Sequence, residues 1–344
     1  MNKQYTEYIK GVAILLMVAL HLFKHPDLTE SLGCMIWVGN TPLLDYFVRA
    51  CNPVPFFLIL SGYGLTASFR VGGGKKNIIR VLKLYLHLWI IYLIFVPIAS
   101  YVKPELYPGG WVTFFKNATS WQCSYIGEQW FFLPYILLML ASQWLIPLFD
   151  KMKEWLVLGI GCIVYLGTAF VMKRYGESTL DNNMLFFNVF LALYMLLPFA
   201  FGYLAKRNEW MGKFCNLLIR KRMHSNWVVL LGLLLLMALR CMTSHRVVDP
   251  FYSIAFVVIF SSLNVGAVLG KFLSFFGKYS MNIWLIHTWI CVRLFEDFTY
   301  NLHYPVLMYL FVLGVSLVSS ICVESIYNIV GQPVVNMVKK KLKM

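Results

Sequence analysis

Residues 129–149 and 184–205 run for 21 and 22 residues without an Asp, Glu, Lys or Arg. A helix of about 20 apolar residues is what crosses the hydrocarbon core of a bilayer. Apolar stretches of this kind recur along the whole chain, and ten can be drawn: roughly 8–23, 44–68, 78–101, 129–149, 155–172, 184–205, 226–242, 250–268, 277–298 and 304–330. Composition agrees. The 344 residues are 60% hydrophobic and 13% charged, against about half and a quarter in soluble domains. The expected fold class is all-α, a polytopic membrane bundle of about ten transmembrane helices. No composition shift, repeat or long linker divides it, so residues 1–344 read as one domain.

The net charge of +15 sits in short loops between the apolar spans. That is the pattern of cytoplasmic retention charge, and it argues against a nucleic-acid partner. With the N-terminus inside, 21 of the 30 Lys and Arg residues fall on the cytoplasmic side and 9 on the other. Both termini are therefore expected in the cytoplasm, and the plasma (inner) membrane is the expected location. The first span lacks a small-residue cleavage site and runs directly into Lys24-His-Pro-Asp27, so it reads as an uncleaved helix. None of the eight cysteines has metal-ligand spacing, and no metal is expected. Cys34 and Cys123 both fall in expected outer loops, where a disulfide between them stays open. The segment 206–225 reads either as an amphipathic interfacial helix or as retention charge. The lysines from Lys339 to Lys343 read as attraction to membrane lipid headgroups.

Within the first span, Lys10 and His21 are eleven residues apart. At 100° per residue that is about 20° beyond three turns, so they share one helix face about 16 Å apart, with Glu7, Ile14 and Met17 on the same stripe. A titratable residue inside a spanning helix is read by default as functional.

Other polar groups interrupt the apolar runs. In Pro53-Val-Pro-Phe-Phe-Leu-Ile-Leu-Ser-Gly-Tyr63, two helix breakers precede Ser61 and Tyr63, a break that either lines a cavity or forms a packing kink. Five basic residues, among them Arg80 and Lys83 on one face, surround a Gly-Gly-Gly turn without Walker spacing; a phosphate-rich ligand or plain retention charge accounts for them. Glu128 opens the fourth span, where it meets either an acceptor hydroxyl or water. Ser280, Trp284 and His287 share a face of the ninth, and His287 is either a cavity residue or a hydrogen-bonded structural one. His87, in the third span, is open to either role.

These pieces, in this order, resemble the acyltransferase 3 family of integral membrane acyltransferases, which modify surface glycans and lipids. The resemblance rests on Lys10-x10-His21, Pro55-Phe-Phe-Leu-Ile-Leu-Ser-Gly-Tyr63, Arg80-x-x-Lys83, Trp130-Phe-Phe-Leu133 and Gly277-Lys-Tyr-Ser-Met-Asn-Ile-Trp-Leu-Ile-His287. The sequence departs from the family pattern where Lys10 replaces an arginine, where the second basic site of the third-span pair is a lysine, Lys83, and where Ser280-Met-Asn282 replaces Ser-Tyr-Ser. The resemblance implies transfer of an acyl group, often acetyl, from cytoplasmic acyl-CoA to a hydroxyl of an exported glycan or lipid-linked sugar. On that expectation Lys10, Arg80 and Lys83 hold the phosphates of CoA and His21 is the general base; a double-displacement variant runs through an acyl-histidine or through acyl-Ser61. Glu128, Ser280, His287 and Tyr63 are assigned to the substrate. The rival expectation is a transporter or flippase for a glycan intermediate, and a third is a non-catalytic partner in an export complex.

Overall fold

Apolar segments that lie in lipid must satisfy every backbone group internally, which a helix does. The computed structural model describes residues 1–24, 32, 36–72, 74–176 and 183–342; Cys34 lies outside them. In chain order come α1 (Lys3–Phe23), the short antiparallel pair β1 (Trp37–Val38) and β2 (Thr41–Pro42), α2 (Leu43–Arg49), α3 (Val54–Gly72) and α4 (Lys75–Val102). Next are α5 (Trp111–Ala118), α6 (Phe132–Asp150), α7 (Glu154–Tyr175), α8 (Met184–Tyr194) and α9 (Leu196–Arg207). The last are α10 (Trp210–Arg220), α11 (Asn226–Cys241), α12 (Asp249–Phe260), α13 (Ala267–Thr288), α14 (Glu296–Tyr300), α15 (Pro305–Ile326) and α16 (Gln332–Lys341).

Among the described residues, seven helical stretches are long and apolar enough to cross a membrane: Lys3–Phe23, Leu43–Phe69, Lys75–Val102, Gly127–Asp150, Glu154–Tyr175, Met184–Arg207 and Pro305–Lys341. The other three expected spans differ. Helix α11 is apolar but has 16 residues. Helix α12 has 12, a length of about 18 Å against a hydrocarbon core of about 30 Å. Helix α13 has 22 residues but carries Lys271 and Lys278, and its second half is buried in protein, every residue from Asn282 to Cys291 included. The break expected near Pro53 separates α2 from α3. Pro55 then occupies the first turn of α3, where a missing N–H costs nothing. The large apolar side chains left exposed, such as Leu93, Trp144, Ile163 and Phe170, suit a lipid solvent.

Two glycine-mediated contacts set the geometry. At Gly11 a Cβ would lie 2.2 Å from the Leu273 carbonyl oxygen, and at Gly277 2.1 Å from that of Glu7, so α1 and α13 touch backbone to backbone. Gly62 and Gly202 do the same between α3 and α9, at 2.2 Å from Phe199 O and 2.0 Å from Ile59 O. Polar clasps finish the bundle. Arg240 meets Asp249 at 2.6 Å with both side chains 3% exposed, and Asn52 donates to the same carboxylate at 2.6 Å, tying the α2–α3 break to α11 and α12. His87 donates through Nδ1 to Lys83 O (2.7 Å) and faces Glu324 through Nε2 (3.2 Å), with Tyr327 stacked on its ring. His87 therefore joins α4 to α15.

Candidate active site

The close packing of α1 on α13 brings His21, in the last turn of α1, against the fully buried His287. His21 Nδ1 lies 2.8 Å from His287 Nε2. His287 Nδ1 faces the carbonyl oxygens of Ile283 (3.0 Å) and Trp284 (2.8 Å). A carbonyl only accepts, so His287 Nδ1 carries a hydrogen, and in the neutral ring Nε2 is then the acceptor. It follows that His21 donates from Nδ1, and neutral His21 carries its lone pair on Nε2. The tautomer of one histidine is thus set by the other, which is in turn set by its own helix backbone.

The same end of the bundle is well anchored. Tyr300 donates to Leu22 O and Tyr309 to Leu15 O, each at 3.0 Å, which fixes the second half of α1. Immediately after Thr288 the helix widens into a π-turn, Trp289–Leu294, a distortion frequent at functional sites. Gln129 accepts from Tyr92 and donates to Asn117 O (2.8 Å) and Ser120 Oγ (2.6 Å), which holds the Gly127–Phe131 turn over this end. Trp284 Nε1 donates to Glu128 O at 3.3 Å. Glu128 itself is half-buried.

Toward the Lys10 end lies a cavity of ≈ 350 Å³, walled by Lys10, Ser61, Arg80, Tyr135, Ser280 and Trp284 among others. Arg80 donates to Asn77 Oδ1 (2.8 Å) and Ser68 Oγ (3.0 Å), and Asn77 is itself held by Met139 O and Ser142. Lys10 pairs with Glu7 at 3.2 Å. Ser61 Oγ and Tyr135 Oη share a hydrogen bond of 3.1 Å, and Ser280 donates to Gly277 O at 2.9 Å. Phe131 and Trp284, rings 5.4 Å apart, line the cavity on the side toward His287, which follows Trp284 by three residues. The arrangement therefore has one mostly apolar cavity, lined also by Lys10, Arg80 and a few hydroxyls, and an oriented imidazole pair outside that lining, on the Trp284 side.

The protein-family model described as an acyltransferase domain, acyltransferase 3, matches residues 3–325. The chain belongs to the acyltransferase 3 family. It is accordingly a multi-pass membrane acyltransferase by family. No curated protein and no solved structure was found that matches the chain.

In this acyltransferase 3 member the structure gathers Lys10, Ser61, Arg80 and Ser280 around one cavity, and places His21 and His287 together beyond its aromatic side. Lys83 lies one turn past Arg80, outside the lining, with its carbonyl bound to His87. Tyr63 is turned elsewhere. Its hydroxyl meets the N-terminal ammonium at 3.0 Å and Lys206 lies over its ring. The reason is the glycine contact at Gly62, which seats that face of α3 against α9 and leaves Tyr63 at the edge of the contact. Sequence reasoning missed Tyr135, Asn77 and Ser68, because their roles depend on which helices meet, and no spacing rule within one helix reports that.

Proposed function

We propose that this protein is a membrane O-acyltransferase that moves an acyl group, acetyl in the first instance, from cytoplasmic acyl-CoA to a hydroxyl of an exported glycan or lipid-linked sugar. The observation that carries the reading is the His21–His287 hydrogen bond, which gives a membrane-depth imidazole a defined lone pair. With both termini cytoplasmic, Lys10 and Arg80 face the cell interior and meet the phosphates of CoA, with Lys83, outside the cavity lining, adding only its charge. Lys10 does so as a point charge, without the bidentate fork of the family's arginine. The acyl-bearing arm then extends through the cavity toward the histidines.

The step balances simply. The acceptor oxygen attacks the thioester carbonyl as His21 Nε2 takes its proton; the C–O bond forms and the C–S bond breaks. The departing thiolate then receives that proton, leaving free CoA and the ester. Direct transfer is favoured over an acyl-Ser61 intermediate. The partner of Ser61 is the Tyr135 phenol, and a phenol is protonated near neutral pH, so no base stands ready to activate the serine. Seclusion of the thioester between apolar helices limits its hydrolysis.

The test is to supply the purified protein in lipid with labelled acetyl-CoA and an extract of surface glycans. Release of CoA matched by label in glycan supports the proposal. Movement of glycan across the bilayer without consumption of thioester would establish the transporter reading instead.

A further inference from the structure

Of Gly62 and Gly64, which closely follow Ser61 on α3, only Gly62 is used in packing. A Cβ at Gly62 would lie 2.2 Å from Phe199 O, whereas a Cβ at Gly64 would meet nothing within 4 Å, and Gly64 lines the cavity. Gly64 stands one helical turn from Ser61, whose hydroxyl is paired with Tyr135 across the lumen wall. At ≈ 350 Å³ the cavity is at the small end of ligand pockets, which run from about 300 to 1,000 Å³. It is too small for a nucleotide and a sugar polymer together, and its lining is mostly apolar, with isolated hydroxyls and the two cations Lys10 and Arg80.

We infer that Gly64 sets the bore of this passage for the pantetheine arm of the donor, with the Ser61–Tyr135 hydroxyl pair hydrogen-bonding an amide of that arm. The inference rests on the acyl-CoA reading above. Pantetheine is a slim chain with two amides separated by apolar carbon, which suits an apolar bore with sparse polar groups. The missing side chain at position 64 is the space the arm uses. Ser61 is then a binding residue for the donor.

The experiment compares purified wild type, Gly64→Ala, Gly64→Leu and Ser61→Ala, each with acetyl-CoA and with S-acetylpantetheine, which has the arm but no phosphates. Gly159→Leu is the control for adding leucine to a glycine of an apolar helix, since Gly159 is exposed on α7 with nothing within 4 Å of its Cβ site. Melting temperature in detergent verifies folding. The expected result is that Gly64→Leu raises the donor KM at least tenfold for both donors with the acceptor KM unchanged. Gly64→Ala is expected to change it less than threefold, Gly159→Leu not at all, and Ser61→Ala severalfold with turnover retained. A folded Gly64→Leu protein that uses both donors at wild-type KM would overturn the role of Gly64, and loss of all turnover in Ser61→Ala would overturn the binding role of Ser61. Wild type that binds and consumes neither donor would instead bring down the acyl-CoA reading itself.

Discussion

Replacing His287 by phenylalanine keeps the ring's bulk and removes one atom that matters, the Nε2 that accepts from His21 Nδ1 at 2.8 Å. The other nitrogen of His287 bonds only to carbonyls of its own helix, so its loss leaves no new unpaired backbone donor and the fold should persist. Once His21 has taken a proton, its bond to His287 Nε2 comes from a charged donor, worth about 1.5–3 kcal/mol. At about 1.4 kcal/mol per factor of ten, kcat should fall by about 10- to 150-fold. The KM values should stay the same, because His287 acts here by holding His21 and not by holding the acceptor. His287→Gln offers an amide oxygen near the same place and should recover part of the loss. The assay is steady-state release of CoA by purified protein, with melting temperature as the folding control. A kcat within twofold of wild type in His287→Phe would refute the tautomer argument; a raised acceptor KM with unchanged kcat would return His287 to the substrate.

Other consequences follow from the same geometry. Lys10→Ala should raise the KM for acetyl-CoA by about tenfold or more, and Lys10→Arg should restore it, since the position is argued to hold phosphate charge near Arg80; competition by free CoA measures both. Asp249→Ala leaves Arg240 buried without its carboxylate and should destabilise the protein by about 3–5 kcal/mol, read as a fall in detergent melting temperature. Gly202→Leu should do the same or prevent accumulation, because a Cβ there would sit 2.0 Å from Ile59 O. In the loop before Gly127, burial pushes the Cys123 thiol up to about 12. At pH 8 it is therefore almost entirely protonated, and iodoacetamide should label it at least tenfold more slowly in the native protein than after denaturation in SDS.

Much of the site was legible because it is written along single helices. Lys10 and His21 on one face of α1, and Ser280, Trp284 and His287 on one face of α13, follow from 100° per residue alone, and the structure sets those faces against the cavity and against each other. What joins helices was not legible. The pairing of His21 with His287 depends on Gly11 and Gly277, and the sequence gives no sign that these glycines meet each other's helices. Gly62 and Gly64 look alike in sequence, yet one is a helix contact and the other opens to the lumen. Helix lengths were read least well toward the end of the chain. There α12 is too short to span on its own, and α13 is less apolar because its neighbours are protein and not lipid.

If the His21 imidazole takes the acceptor's proton while cations elsewhere hold the donor, removing it should stop transfer and spare donor binding. The decisive measurement is single-turnover transfer from labelled acetyl-CoA by purified wild type and His21→Ala, alongside equilibrium binding of CoA. Transfer should fall by about 10²–10⁴-fold with CoA affinity retained. Transfer within tenfold of wild type, or loss of CoA binding in step with loss of transfer, would contradict it.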